Sequence, residues 1–84
     1  MNHDQRAVLP PYLRKPNLRA HEVVTYLEEM HGIPVSVKTL SKWRSLGAGP
    51  AFHKAGITPI YPIGELDKWA IKRLGALRNT GSAR

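Results

Sequence analysis

Lysine and serine side chains recur between Ser36 and Ser45 at the spacing of one helix face. Lys38, Ser41, Lys42 and Ser45 fall at positions i, i+3, i+4 and i+7, which share one side of an α-helix. The lysines can donate hydrogen bonds to guanine O6 and N7 or to phosphate oxygens. Serine is small enough to let a helix backbone approach a groove closely. These residue types indicate a helix that binds a polyanion, and an ordinary solvated face is the alternative interpretation.

The charge of the surrounding stretch points the same way. Between Met30 and Gly64 the sequence has no Asp or Glu, but it contains four lysines and arginines. The whole chain has a formal net charge of +7 and a pI near 10.3. Such a charge fits a nucleic acid or an anionic membrane surface, and charge alone does not distinguish the two.

Composition narrows the class of protein further. Eighty-four residues, 42% of them hydrophobic, predict one small folded domain rather than a disordered basic tail. The chain has no cysteine, which excludes disulfides and the usual zinc-finger ligands. Histidines and carboxylates are too sparse for a nucleophile–base pair, so we expect no enzymatic activity, no cofactor and no metal. No apolar run reaches the roughly 18 residues of a membrane span. With no signal-peptide core at its N-terminus, the protein is expected in the cytoplasm, as a bacterial cytoplasmic or nucleoid protein.

The first predicted helix begins after Leu18 and has a single apolar stripe. Arg19 is a poor N-cap, so packing, including a Leu18–Val23 hydrophobic staple, is expected to hold this start. Gly32 ends the helix and Pro34 prevents its continuation. The stripe consists of Ala20, Val23, Val24, Leu27 and Met30.

A second helix follows at once. Ser36 is a good N-cap, and Gly47 ends the helix. Val37, Leu40 and Trp43 cluster on the side opposite the lysine and serine face. Two helices joined by about five residues, the second with a basic free face, predict a helix-turn-helix.

Turn residues after this helix predict a β-hairpin. The strands are expected at residues 51–55 and 59–61, around a turn of Gly56, Ile57 and Thr58. Pro59 restricts the second strand to a sheet edge. Phe52 and Tyr61 are interpreted as the packing seam between the hairpin and the helices.

A third helix is predicted from Ile63 to Leu77, with Ile63, Leu66, Ala70 and Leu74 on one side. The element order helix, helix, hairpin, helix predicts an α+β fold that is mainly helical. We expect an extended proline-containing arm at 1–17, a domain at 18–77 and a basic flexible tail at 78–84. Three apolar side chains of the arm are available to pack on the body. They are Val8, Leu9 and Tyr12.

Three segments together resemble a known family. The run from Leu18 to Ala70 contains LRAHEVVTYL, then VSVKTLSKWRSLGAGPAFHKAG, then IYPIGELDKWA. This order is similar to the compact winged-helix domains of the MerR-like class, in particular the AlpA-like and excisionase-like members. The matching positions are Gly47, Gly49, Pro50, Phe52, Lys54, Gly56, Tyr61, Glu65, Leu66 and Trp69. Family wings usually have Arg after the wing glycine, whereas this chain has Ile57-Thr58.

The resemblance implies a small winged helix-turn-helix that binds double-stranded DNA. It implies a recognition helix in the major groove and a wing against the DNA backbone. The predicted contacts on the recognition helix are Ser36, Lys38, Thr39, Ser41, Lys42 and Ser45. The predicted wing contacts are His53, Lys54 and Thr58, and Arg19 is a further candidate for a phosphate. Arg44 is either another phosphate contact or the partner of Glu28 or Glu29 in a salt bridge.

Within this interpretation, two roles compete. One is an excisionase, a recombination directionality factor that binds and bends DNA near an attachment site to promote integrase-mediated excision of a mobile element. The other is an AlpA-like transcriptional regulator of a phage or mobile element, and a small RNA-binding or ribosome-associated protein is a more distant alternative. Single DNA-binding modules bury only about 600–1,000 Å². We therefore expect cooperative self-association on DNA, with an integrase as a further partner and no membrane.

Overall fold

Three α-helices and a three-stranded antiparallel sheet make up the computed structural model, which describes residues 10, 13 and 15–77. The strands are β1 (Asn17–Arg19), β2 (His53–Ala55) and β3 (Thr58–Pro62). The helices are α1 (Ala20–His31), α2 (Val37–Leu46) and α3 (Ile63–Leu74). The predicted α+β class, its mainly helical content and the order helix, helix, hairpin, helix are confirmed.

Strand β1 is the element that the sequence did not predict. The sheet order is β1-β3-β2, so β3 pairs with β1 on one side and with β2 on the other. Leu18 lies opposite Tyr61 in this register, and both side chains are buried. The face of the sheet that carries this pair therefore packs against the core. A three-residue strand after a proline has too few positions to show an alternating pattern.

Pro59 does not lie in an edge strand, as we had predicted, because β3 is the central strand. The Ile63 N–H donates to the Pro16 carbonyl, so it points toward β1. Backbone nitrogens point to alternate sides along a strand, and those of Tyr61 and Pro59 therefore also point toward β1. β1 pairs only as far as Ile60, so the Pro59 nitrogen points past its end. A central strand accepts this proline because no ladder hydrogen bond is lost.

The hairpin formed by β2 and β3, called the hairpin below, turns on two residues rather than three. Ala55 pairs with Thr58, so only Gly56 and Ile57 form the turn, and Thr58 belongs to β3. Gly56 has φ of 67°, and Ile57 has no positive φ. Glycine at the first central position suits a primed hairpin turn, whose twist matches the twist of the strands.

The last described residues of the predicted arm lie against the domain. Leu13 is fully buried, and Pro16 accepts the hydrogen bond from Ile63. Val8, Leu9 and Tyr12 lie outside the described residues, as does the predicted tail at 78–84. The hydrophobic core consists of Leu13, Leu18, Val23, Tyr26, Leu27, Ile33, Leu40, Tyr61, Ile63, Leu66 and Ala70.

Glu22 stabilises the start of α1 through hydrogen bonds, in addition to the packing that the sequence predicted. Its carboxylate accepts hydrogen bonds from the Arg19 N–H at 2.9 Å and from the Lys15 ammonium at 2.7 Å. Burial raises the pKa of this carboxyl, but these two bonds together outweigh burial and hold the pKa below its ordinary value. Glu22 is thus ionised, paired and nearly inaccessible at neutral pH.

Helix α3 is shorter than predicted, since it ends at Leu74 before Gly75, and Leu77 lies beyond it. Leu74 and Leu77 are exposed, so the predicted apolar stripe ends at Ala70. The helix is joined to α1 by Asp67, whose Oδ1 accepts from the Tyr26 hydroxyl at 2.7 Å and lies 2.8 Å from His31 Nε2. These bonds hold α1 and α3 together.

Candidate nucleic-acid interface

Helix α2 has one continuous exposed face, which contains the predicted lysines and serines. We call Lys38, Ser41, Lys42 and Ser45 the α2 face, and all four side chains are exposed. The opposite side of the helix is anchored by Leu40, which is fully buried. On a wheel of about 100° per residue, the α2 face is centred nearly opposite Leu40. The packing of Leu40 therefore turns this face toward solvent.

Both ends of α2 are defined by local chemistry. The Ser36 hydroxyl accepts a hydrogen bond from the Thr39 N–H at 3.0 Å and donates to the Thr39 hydroxyl. Gly47 ends the helix in the left-handed conformation, with φ of 70°. Ser36 and Thr39 thus cap the helix, although both were predicted as DNA contacts. Val37, predicted on the packed side, is 46% exposed at the margin of the α2 face.

Arg44 joins α2 to the hairpin. Its Nη1 donates to the Tyr61 hydroxyl at 2.7 Å, and its guanidinium carbon lies 5.9 Å from the centre of the Phe52 ring. Phe52 and Tyr61 are themselves in contact, with ring centres 5.8 Å apart. The predicted packing seam is confirmed. The alternative in which Arg44 pairs with Glu28 or Glu29 is wrong, because its polar partner is Tyr61.

Trp43 joins the other flank of α2 to α3. Its ring centre lies 5.5 Å from that of Trp69, and both side chains are partly buried against the core. Gly49 makes this possible, since a Cβ at that position would lie 2.9 Å from Trp43 Cε3. The two tryptophans pack against each other, although neither is fully buried. Arg73 covers them, with its guanidinium carbon 5.5 Å from the Trp43 ring and 5.8 Å from the Trp69 ring.

The hairpin divides its predicted contacts between two faces. Paired residues of an antiparallel sheet point to the same side, and successive residues alternate. Lys54 lies opposite Pro59, two residues from Tyr61, and therefore shares the side on which Tyr61 meets α2. His53 lies opposite Ile60, and Ile60 lies opposite Arg19, so His53 and Arg19 occupy the other face.

The structure thus brings together part of the predicted set. The four residues of the α2 face lie together, and Lys54 shares the sheet face from which Tyr61 contacts Arg44 of α2. Thr58 shares the opposite face of the sheet with His53 and Arg19, so these three residues lie on the sheet face turned away from that contact.

No acidic group of residues 15–77 neutralises the α2 face or Lys54. Within residues 15–77, carboxylates pair with Lys15, His31 and Lys68 and not with a basic residue of α2 or the hairpin. The sequence pattern of an acid-free stretch therefore becomes a surface with uncompensated positive charge. Arg73 adds to this charge, although it is not among the DNA contacts that the sequence predicted. Its spacing of four residues from Trp69 is the sequence signal for its contact with that ring.

The part of the chain that the structure describes has no group of three His, Cys, Asp or Glu that could hold a metal ion. In those same residues, no helix is long and apolar enough to cross a membrane. No protein-family model, curated protein or solved structure matches this chain at a significant level.

Proposed function

We propose that this protein binds double-stranded DNA as a small winged helix-turn-helix, with α2 as the recognition helix and the hairpin as the wing. The observation that carries the proposal is the α2 face, an exposed set of two lysines and two serines that pairs with no carboxylate of residues 15–77. Binding of DNA phosphates by such cations releases counterions and drives association.

The dimensions of α2 suit the major groove. A helix of 10 residues is about 15 Å long, and the groove, about 12 Å wide, admits one α-helix. Lys38 and Lys42 are exposed on adjacent turns of the helix. Ser41 and Ser45, on the same face, have short side chains that do not obstruct the approach of the helix to the groove. The lysines then contact guanine edges or phosphates, and the serines allow close approach of the backbone.

The proposal that the hairpin is the wing is supported by its hydrogen bond to α2, from Arg44 to Tyr61. Lys54 lies on the side of the sheet that faces α2, so it is available to the same DNA backbone. His53, Thr58 and Arg19 point away from that side and are left out of the proposed interface. This changes the predicted contact set: Lys54 remains as the basic wing contact.

RNA recognition by base stacking is less well supported than DNA binding. Proteins that read single-stranded RNA display aromatic side chains on an open surface. Here the aromatic rings of Trp43 and Trp69 pack together, as do those of Phe52 and Tyr61. The sheet face that points away from Tyr61 contains no tyrosine, phenylalanine or tryptophan. Its members are Asn17, Arg19, His53, Ala55, Thr58, Ile60 and Pro62.

The role that we assign within DNA binding follows the resemblance to excisionase-like proteins. The protein then binds repeated sites beside an attachment site, associates cooperatively, bends the DNA and favours excision by an integrase. A DNase footprint across an attachment region, compared with promoter fragments, tests this role. Protection confined to a promoter would assign the protein to transcriptional regulation instead.

DNA binding itself is tested by fluorescence anisotropy with a labelled 30-base-pair duplex at several salt concentrations. The expected result is binding to DNA in preference to an RNA duplex of equal length, with an affinity that falls linearly on a log–log plot against salt. Equal or tighter binding to RNA, or no binding at 50 mM salt, contradicts the proposal.

A further inference from the structure

Arg73 occupies a defined position beside α2, although it lies near the end of α3. Its guanidinium carbon is 5.5 Å from the Trp43 ring and 5.8 Å from the Trp69 ring, so it rests on both indoles at once. Stacking on an aromatic face is a typical arrangement for arginine and restricts an otherwise flexible side chain. The charge of Arg73 is thus held in place rather than spread over many rotamers.

The indoles leave the donors of Arg73 available. A guanidinium has five N–H donors, and its contact with an aromatic ring is electrostatic and provides no acceptor oxygen for them. Arg73 is exposed, and no carboxylate in residues 15–77 pairs with it. An exposed guanidinium that lies beside two indoles and has no carboxylate partner among these residues fits the oxygens of a phosphate, which arginine binds with two parallel hydrogen bonds.

The position of Trp43 places Arg73 on a specific flank of the α2 face. On the helix wheel, Arg44 and Trp43 lie about 40° and 60° to either side of Leu40. Arg44 contacts Tyr61 of the hairpin. Trp43 contacts Trp69 and Arg73 of α3. The α2 face is therefore bordered by the hairpin on one flank and by Arg73 on the other.

We infer that Arg73 is a phosphate-binding residue that anchors the DNA backbone on the flank of α2 opposite the hairpin. The inference rests on the proposed DNA binding and adds a second contact with the DNA backbone. A helix in the major groove has a phosphate strand on each side, and the hairpin side meets only one of them. Arg73 binds the other, and the tryptophan pair fixes how far its guanidinium stands from α2.

A purely structural role for Arg73 is the alternative, in which the side chain only covers the two tryptophans. The two roles differ in their dependence on salt. Loss of a phosphate contact reduces the slope of log affinity against log salt by about 0.9. Loss of a structural cover lowers the melting temperature and leaves that slope unchanged.

The test compares Arg73→Gln with Lys68→Gln, using the full chain and a labelled 30-base-pair duplex. Glutamine keeps a side chain over the indoles but removes the charge. Lys68 is the matched control because it lies on the same helix, is exposed and points away from the core. Raising salt from 50 to 200 mM is expected to cost Arg73→Gln about 3.5-fold less affinity than it costs the wild type. Lys68→Gln is expected to behave as the wild type does.

Three further results decide the inference. Arg73→Lys, which keeps the charge but loses the planar fork, is expected to retain the wild-type salt slope with weaker binding. A wild-type slope in Arg73→Gln overturns the phosphate contact while leaving DNA binding by α2 in place. Absence of DNA binding by the wild-type protein overturns both proposals together.

Discussion

Arg44 Nη1 donates a hydrogen bond of 2.7 Å to the hydroxyl of Tyr61, 17 positions further along the chain. The bond joins the last turn of α2 to the central strand of the sheet. Because Tyr61 is buried and Arg44 also lies near the Phe52 ring, the hairpin has a fixed position relative to α2. This connection helps to position Lys54 relative to α2.

Tyr61→Phe removes the acceptor of this bond and keeps the ring. We expect a loss of about 1.5 kcal/mol in the free energy of unfolding. We also expect weaker DNA binding with an unchanged salt slope, because the hairpin is less well positioned but no charge is lost. Urea unfolding and fluorescence anisotropy measure the two quantities. Tyr26→Phe is the control, since its hydroxyl bonds to Asp67 at the α1–α3 contact; equal losses of affinity in both variants would contradict a positioning role.

Gly49→Ala is expected to destabilise the protein more than Gly47→Ala. Both glycines have a left-handed backbone, with φ of 80° and 70°, which costs an alanine about 1–2 kcal/mol. At Gly47 a Cβ meets no atom within 4 Å, whereas at Gly49 it lies 2.9 Å from Trp43 Cε3. Overpacking against the indole adds about 1–3 kcal/mol. Melting temperatures compare the two variants, and a larger loss for Gly47→Ala would show that Trp43 moves aside freely.

Glu22 makes the stability of the fold depend on pH in the acidic range. Its pKa is lowered in the folded state, so its contribution is complete above the ordinary carboxyl pKa of about 4.3 and is lost as the pH falls through the lower folded value. We expect Glu22→Gln to cost about 2 kcal/mol at pH 7, because hydrogen bonds from Lys15 and the Arg19 N–H to a charged group are weakened. Unfolding of wild type and variant should converge toward pH 2.

The control for this prediction is Glu65→Gln. Glu65 lies 3.4 Å from Lys68 in an exposed pair on one helix, and such pairs contribute little to stability. We expect Glu65→Gln to unfold nearly as the wild type does at every pH. A difference between wild type and Glu22→Gln that stays constant from pH 7 to pH 2 would contradict the assignment.

The helices could be predicted from sequence because their signals are local. Ser36 caps α2 with a side chain three residues from its partner, and Gly32 and Gly47 end helices where no other residue adopts the backbone easily. The exposed state of the α2 face also followed from its spacing against Leu40. Each of these features depends on residues within one or two turns.

Features that depend on distant residues could not be predicted. Strand β1 forms because Leu18 pairs with Tyr61, 43 residues further along the chain. Pro59 is tolerated in a central strand because the pairing of β1 ends at Ile60, the residue next to it. The register of the hairpin decides that Lys54 and not His53 shares the face of Tyr61, and a turn one residue longer would have reversed this assignment. Arg73 gained its candidate role only when Trp43 and Trp69 met.

The most direct test of the account is the DNA affinity of the double variant Lys38→Ala/Lys42→Ala. Both side chains are exposed, so we expect its melting temperature to stay within a few degrees of the wild type. We expect its affinity for a 30-base-pair duplex to fall, and its salt slope to decrease by about 1 for each lysine that contacts phosphate. Lys68→Ala should retain wild-type values. If the double variant binds with wild-type affinity and slope, α2 is not the DNA-binding element.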